Sequence, residues 1–143
     1  MTMTSETPTR PSGTAWNIGL WAAQIALAGL YGMAAYVKIA MSPAELVGIG
    51  IIWAESAPLW MIRFIGFAEL AGVLGLILPA LTRIRPALTA HAATGLLAIQ
   101  VLAIAFHLFR GEAEALPINF IYVALSLLVI WGRTQKAPIA PRA

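Results

Sequence analysis

The chain has no cysteine and no aspartate, and only 10% of its 143 residues are charged. Without cysteine, disulfide exchange, thiol nucleophiles, iron–sulfur clusters and thiolate metal sites are all excluded. The acids are six glutamates, Glu6, Glu45, Glu55, Glu69, Glu112 and Glu114. Two histidines, His91 and His107, are all there is of imidazole. They stand 16 residues apart on one expected helix, about 160° around it and roughly 24 Å along it. They cannot ligate one haem or one metal, and no metal site is expected. The nine Lys/Arg residues are scattered rather than gathered on a solvated face, so no nucleic-acid partner is expected.

What remains is apolar. Hydrophobic residues make up 60% of the chain, against roughly 45–50% in a soluble domain, and the mean hydropathy is +0.83. That content suits about four spans of about 20 residues each. The expected architecture is an all-α membrane protein, a four-helix transmembrane bundle embedded in the lipid bilayer.

The hydropathy pattern sets the boundaries. Residues 1–14 are rich in Thr, Ser and Pro and read as a disordered tail rather than a signal peptide. The membrane domain is 15–133, with spans at about 16–37, 59–78, 86–109 and 115–131. Pro79 is expected to end the second span. Residues 134–143 read as a second disordered tail. Between spans one and two, Ser42-Pro43-Ala44-Glu45 has the form of a capping box with proline at the first helical position. It predicts a short interfacial helix over about 43–54.

With four spans, Arg10, Arg83, Arg85, Arg133, Lys136 and Arg142 fall on the side of the termini, and Lys38, Arg110 and Arg63 on the other. The positive-inside rule then puts both termini in the cytoplasm of a plasma (inner) membrane protein.

The few polar residues inside the spans are not randomly placed. Asn17, Gln24, Tyr31 and Lys38 recur every seven residues on the first span, within about 20° of alignment per step. Gln100, His107 and Arg110 share a face on the third span, and Asn119, Tyr122 and Ser126 on the fourth. Polar groups facing lipid are costly, so these stripes should turn inward. Small pairs, Ala28/Gly32, Ala68/Gly72 and Ala71/Gly75, are expected to allow close helix approach.

Glu69 falls near the middle of its span, and an intramembrane carboxylate is by default a functional-site candidate. Its expected partner is open among Arg63, Lys38, His107 and Tyr31. Together with Asn119 and Arg110, these residues form the candidate ligand or proton-handling pocket: Glu69 at the floor, the others toward the non-cytoplasmic opening. Structural packing of Glu69, and snorkelling of Lys38 and Arg110 to the headgroups, are the competing readings.

In order along the chain, Gly32 to Ile39, Arg63-Phe64-Ile65-Gly66-Phe67-Ala68-Glu69-Leu70-Ala71-Gly72, His107-Leu108-Phe109-Arg110-Gly111-Glu112, Asn119 and Gly132-Arg133 resemble the pattern of the DoxX-like family of small membrane proteins. The resemblance covers roughly residues 16–133 and implies a four-span bundle. It also implies functional diversity, from a subunit of an archaeal terminal quinol oxidase and thiosulfate:quinone oxidoreductase to a distant receptor-assembly chaperone. The expected function is an accessory component near quinone or redox metabolism, with an outward-facing pocket for a small lipophilic molecule. A quinone is the expected ligand, no cofactor is intrinsic, and a membrane partner subunit or homo-oligomer would complete the unit. Intrinsic catalysis is not expected, although an oxidoreductase subunit stays open. The alternative is an assembly or interaction protein with no chemistry of its own.

Overall fold

A computed structural model describes residues 13–143; the expected tail over 1–14 lies outside them except for its last two residues. Every regular element is helical. Helix α1 is Gly13–Ala40, α2 is Pro43–Gly48, α3 is Leu59–Thr82, α4 is Leu88–Arg110 and α5 is Leu116–Trp131. Short 3₁₀ turns stand at Ile52–Glu55 and Ala113–Ala115, and a π turn at Gly132–Lys136 continues α5. Four stretches, Gly13–Ala40, Leu59–Thr82, Leu88–Arg110 and Ala113–Lys136, are long and apolar enough to cross a membrane.

The four long helices form a ring: α1 packs on α3, α3 on α4, α4 on α5, and α5 closes on α1. Short connections make sequential neighbours antiparallel, so residues 13 and 136 share one end of the bundle, the terminal end. The other is the loop end. Outward-facing Phe64, Leu102 and Phe109 are exposed, as expected of helices whose solvent is hydrocarbon. Leu27, Tyr31, Leu76, Ala93, Leu96 and Val129 meet in the interior.

Two glycines on α3 set how closely α3 and α4 approach. A Cβ on Gly72 would lie 2.3 Å from Leu96 Cδ2, and one on Gly75 would lie 2.9 Å from Ala92 Cβ. Gly132 does the same where α5 meets α1, its added Cβ falling 2.2 Å from Leu20 Cδ2. Gly32 has open space instead, so the Ala28/Gly32 pair does not make the close approach expected of it.

Helix α3 also departs from expectation at Pro79. The helix runs one turn further, to Thr82, and ends at Arg83 in the left-handed region (φ 61°). A proline removes one amide donor, and transmembrane helices tolerate that loss where other groups satisfy the freed backbone. Beyond the proline the helix end is closed by Arg83 N–H donating to the Pro79 carbonyl (3.0 Å) and Thr82 Oγ1 to the Leu78 carbonyl (2.7 Å).

The capping box forms as the sequence demands. Ser42 Oγ accepts from Glu45 N–H (3.3 Å), and Glu45 Oε2 accepts from Ser42 N–H (2.7 Å). The Glu45 carboxyl is held below the usual carboxylate range, most by the Ser42 backbone N–H and next by the Ser42 hydroxyl, which also donates to Oε2 (2.7 Å). Leu46 and Ala54 then bury against Ile62, seating α2 and its 3₁₀ turn on the loop end.

Candidate functional site

The polar stripes of α1, α4 and α5 supply an interior column, and its members fall into three groups. Near the loop end, Lys38 from α1 meets Glu69 from α3. Lys38 Nζ lies 2.9 Å from both carboxylate oxygens, with the side chains 11% and 6% exposed. The pairing follows from register. A Cβ on Gly66, one turn before Glu69, would fall 2.9 Å from Ile39 Cγ1 and 3.0 Å from Lys38 Cβ. The missing side chain lets α3 lie against the end of α1 and brings the ammonium to the carboxylate. Of the four partners open to Glu69 in the sequence, Lys38 is the one it takes.

Arg63 has a different task. Its Nη1 donates to the Lys38 carbonyl and to the Met41 carbonyl (2.9 Å). The first is among the last carbonyls of α1, which lack intrahelical donors, and the second belongs to the residue that follows the helix. Arg63 therefore closes the C-terminus of α1 directly beside the ion pair.

A separate, neutral network joins α1, α4 and α5. Tyr31 hydroxyl donates to the Leu96 carbonyl (2.8 Å) and approaches Gln100 Oε1 (3.3 Å); Gln100 Nε2 donates to Asn119 Oδ1 (2.5 Å). Tyr122 packs its ring edge-on to Tyr31 at 4.5 Å and donates to the Leu30 carbonyl (3.1 Å). Asn119 Nδ2 and Ser126 Oγ are buried with no acceptor or donor opposite them among the described residues. Most buried polar groups are paired, so each orphan calls for an explanation.

At the loop end, outside the column, His107 Nδ1 contacts Glu112 Oε2 (2.7 Å), and Arg110 Nε donates to Glu112 Oε1 (2.6 Å). Arg110 Nη1 reaches Ser56 Oγ (3.2 Å), and its guanidinium lies over Phe106 at 5.4 Å. The arginine first, then the histidine, hold the Glu112 carboxyl below its ordinary range. The expected set therefore divides. Glu69, Lys38 and Arg63 form one cluster, Tyr31 and Asn119 another, and His107 with Arg110 a third that ties the α4–α5 connection to Ser56.

At the terminal end the sequence reading missed a participant. Arg133, read as a cation on the side of the termini and as part of the Gly132-Arg133 pair, is 6% exposed. Its Nε donates to Gln24 Oε1 (2.5 Å) and its Nη1 to Asn17 Oδ1 (2.7 Å) and the Ala137 carbonyl (3.2 Å). Gln24 Nε2 in turn donates to the Leu76 carbonyl (3.0 Å). The available signal was the heptad stripe itself: Asn17 and Gln24 at this end require partners, and Arg133 is a cation at matching depth.

Two hollows, of about 590 and 700 Å³, also lie at this end. The first is lined by Arg85, His91, Arg133 and apolar neighbours, and the second by Asn17, Trp21, Arg83 and Lys136 among others. Neither reaches Glu69. The segment expected as a free C-terminal tail forms a wall of both. Arg142 N–H donates to the Arg83 carbonyl (2.9 Å), and Arg83 Nε to the Ala140 carbonyl (3.0 Å). Among the described residues no three metal-ligating side chains come together.

Residues 22–129 match the model of the DoxX-like family. No curated protein and no solved structure matches the chain.

Proposed function

The chain belongs to the DoxX-like family, and from that premise we propose that it serves quinone or redox metabolism in the plasma (inner) membrane as an accessory component. Its termini are cytoplasmic, and its polar interior receives a small lipophilic molecule such as a quinone between α4 and α5. The observation that carries this reading is Asn119. Its Oδ1 is engaged by Gln100, yet its buried Nδ2 has no acceptor. A quinone offers carbonyl oxygens, which accept and do not donate, on an apolar ring for which Tyr31 and Tyr122 are aromatic neighbours. Glu69 and Lys38 set the charge balance of that interior, and His107 and Arg110 stand at its loop end. Electrons reach the ligand from a membrane partner subunit or a soluble donor.

Titration of purified, lipid-embedded protein with decylubiquinone tests this. One saturable site per chain is expected, weakened roughly five- to tenfold by Asn119→Ala and also by Glu69→Gln. No binding of any quinone, in detergent or in lipid, overturns the reading.

A second reading is favoured by a different observation. Both oxygens of Glu69 are occupied by Lys38, and Arg63 is spent on the end of α1. On this reading the chain is a membrane assembly or interaction protein, and its α2 segment docks the partner. Glu69→Gln would then impair folding and partner capture together, with quinone affinity unaffected in whatever fraction folds.

A further inference from the structure

We propose that the hollow between the start of α4 and the C-terminal segment is a site for one anionic glycerophospholipid, its phosphate held by Arg85, His91 and Arg133. The argument begins with Arg133. A guanidinium that is 6% exposed has only neutral acceptors, Gln24, Asn17 and the Ala137 carbonyl, and its Nη2 has no partner at all. Among the described residues no carboxylate pairs with it. Buried charges are ordinarily paired, because an isolated ion in low dielectric is costly. The chain offers little to pair with. Glu45 and Glu55 lie in the α1–α3 connection, Glu112 and Glu114 in the α4–α5 connection, Glu69 is committed to Lys38, and Glu6 lies outside the described residues. Arg83, Arg85, Arg133, Lys136 and Arg142 meanwhile crowd the terminal end. The described residues thus supply no counter-charge for Arg133.

The hollow beside Arg133 identifies its chemistry. At about 590 Å³ it is within the usual range of ligand pockets. Its lining is mostly apolar, including Leu88 and Ile139, with Arg85, His91 and Thr134 as polar members. His91 Nδ1 contacts the Ala87 carbonyl (2.8 Å), which leaves Nε2 free for a ligand. Cations beside an apolar wall fit a phosphate carried on a hydrocarbon chain better than a free ion. The depth fits as well. Trp16 and Trp131 meet edge-to-face at 5.2 Å with Lys136 Nζ 5.9 and 5.1 Å from their rings. Tryptophan with lysine is the pattern of the headgroup layer, and basic pockets at that level bind anionic headgroups. Arg133 would then be neutralised in the membrane by lipid, holding the C-terminal segment against α4.

The test uses full-length protein in nanodiscs of phosphatidylcholine containing graded phosphatidylglycerol, followed by detergent extraction and native mass spectrometry. One phosphatidylglycerol per chain is expected to survive extraction, in preference to phosphatidylcholine with the same acyl chains. Arg85→Gln, an exposed change that leaves the bundle intact, should lower that retention about fivefold. Arg133→Gln, checked for folding by circular dichroism, should abolish the preference. Equal retention of the two lipids, or an Arg85→Gln variant matching the parent, overturns the proposal. Displacement by glycerol 3-phosphate at concentrations equal to the lipid also overturns it, since the phosphate alone would then suffice.

Discussion

Replacing Lys38 by methionine should cost about 3 kcal/mol of stability. The substitution keeps the length of the stem and removes the ammonium. Glu69, 5% exposed, then keeps its buried carboxylate with no cation. Breaking one partner of a buried ion pair costs about 3–5 kcal/mol. A charge at the centre of a transmembrane helix costs about 2.5–3.5 kcal/mol on insertion scales. The two ranges overlap near 3, a shift of more than a hundredfold in the folding equilibrium. The informative comparison is the double variant Lys38→Met/Glu69→Leu. It removes both charges and both desolvation penalties, so it should lie within about 1 kcal/mol of the parent or above it. Reversible unfolding in mixed micelles across the four proteins gives the cycle. Additivity should fail by at least about 2 kcal/mol, in the direction of rescue. A Lys38→Met variant that loses less than about 1 kcal/mol, or a double variant equal to the sum of the singles, would refute the assignment of this pair as buried and mutually dependent. If the double variant folds as the parent does, its quinone affinity also separates the structural contribution of the pair from any contribution to ligand binding.

Other consequences follow from the same geometry. Gly66→Ala should lose about 1–3 kcal/mol by overpacking, because Lys38 Cβ and the Ala35 carbonyl cannot turn away; Gly29→Ala has open space and should gain about 0.5–1 kcal/mol from helix propensity, both read from the same unfolding curves. Tyr31→Phe should cost about 0.6–1.7 kcal/mol, the range for interhelical hydrogen bonds in membranes, and a larger loss would mean that the hydroxyl organises the Gln100–Asn119 contact as well. The loop end should respond to acid. Arg110 and then His107 lower the Glu112 carboxyl, so its stabilising contribution is complete above the unfolded value of about 4.3 and disappears as pH falls through the lower folded value. Amide exchange in the α4–α5 connection should accelerate over that acidic interval, and Glu112→Gln should remove the dependence; an unchanged pH profile in that variant would refute the contact.

Much of the fold was legible because two local signals are written plainly in the chain. Four apolar runs of bilayer length predict four helices, and Ser42-Pro43-Ala44-Glu45 contains every atom its cap requires, all within four residues. The interior column was legible in part. The seven-residue spacing of Gln24, Tyr31 and Lys38 puts them on one face, and all three are buried. Partner choice was not legible. It depends on the relative height of two helices, which is set by contacts such as Gly66 against Ala35 and Lys38 rather than by either helix alone. Arg133 escaped for the same reason. At a span's end an arginine satisfies the positive-inside pattern whether it points to water or folds back onto Gln24 and Asn17.

The absence of cysteine excluded thiol chemistry, and the scarcity of charge with 60% apolar residues in four long runs determined that this is a membrane bundle with few polar groups to explain. Helix length, cap chemistry and the sidedness of basic residues are local or compositional properties, and the order of residues suffices for them. Tertiary packing decided which polar groups meet: Lys38 with Glu69, Arg63 with the end of α1, Arg133 with Gln24 and Asn17. It also placed the hollows at the terminal end, away from Glu69. These are contacts between residues far apart in the chain, fixed by small side chains where helices cross, and no periodicity within one helix encodes the height of its neighbour.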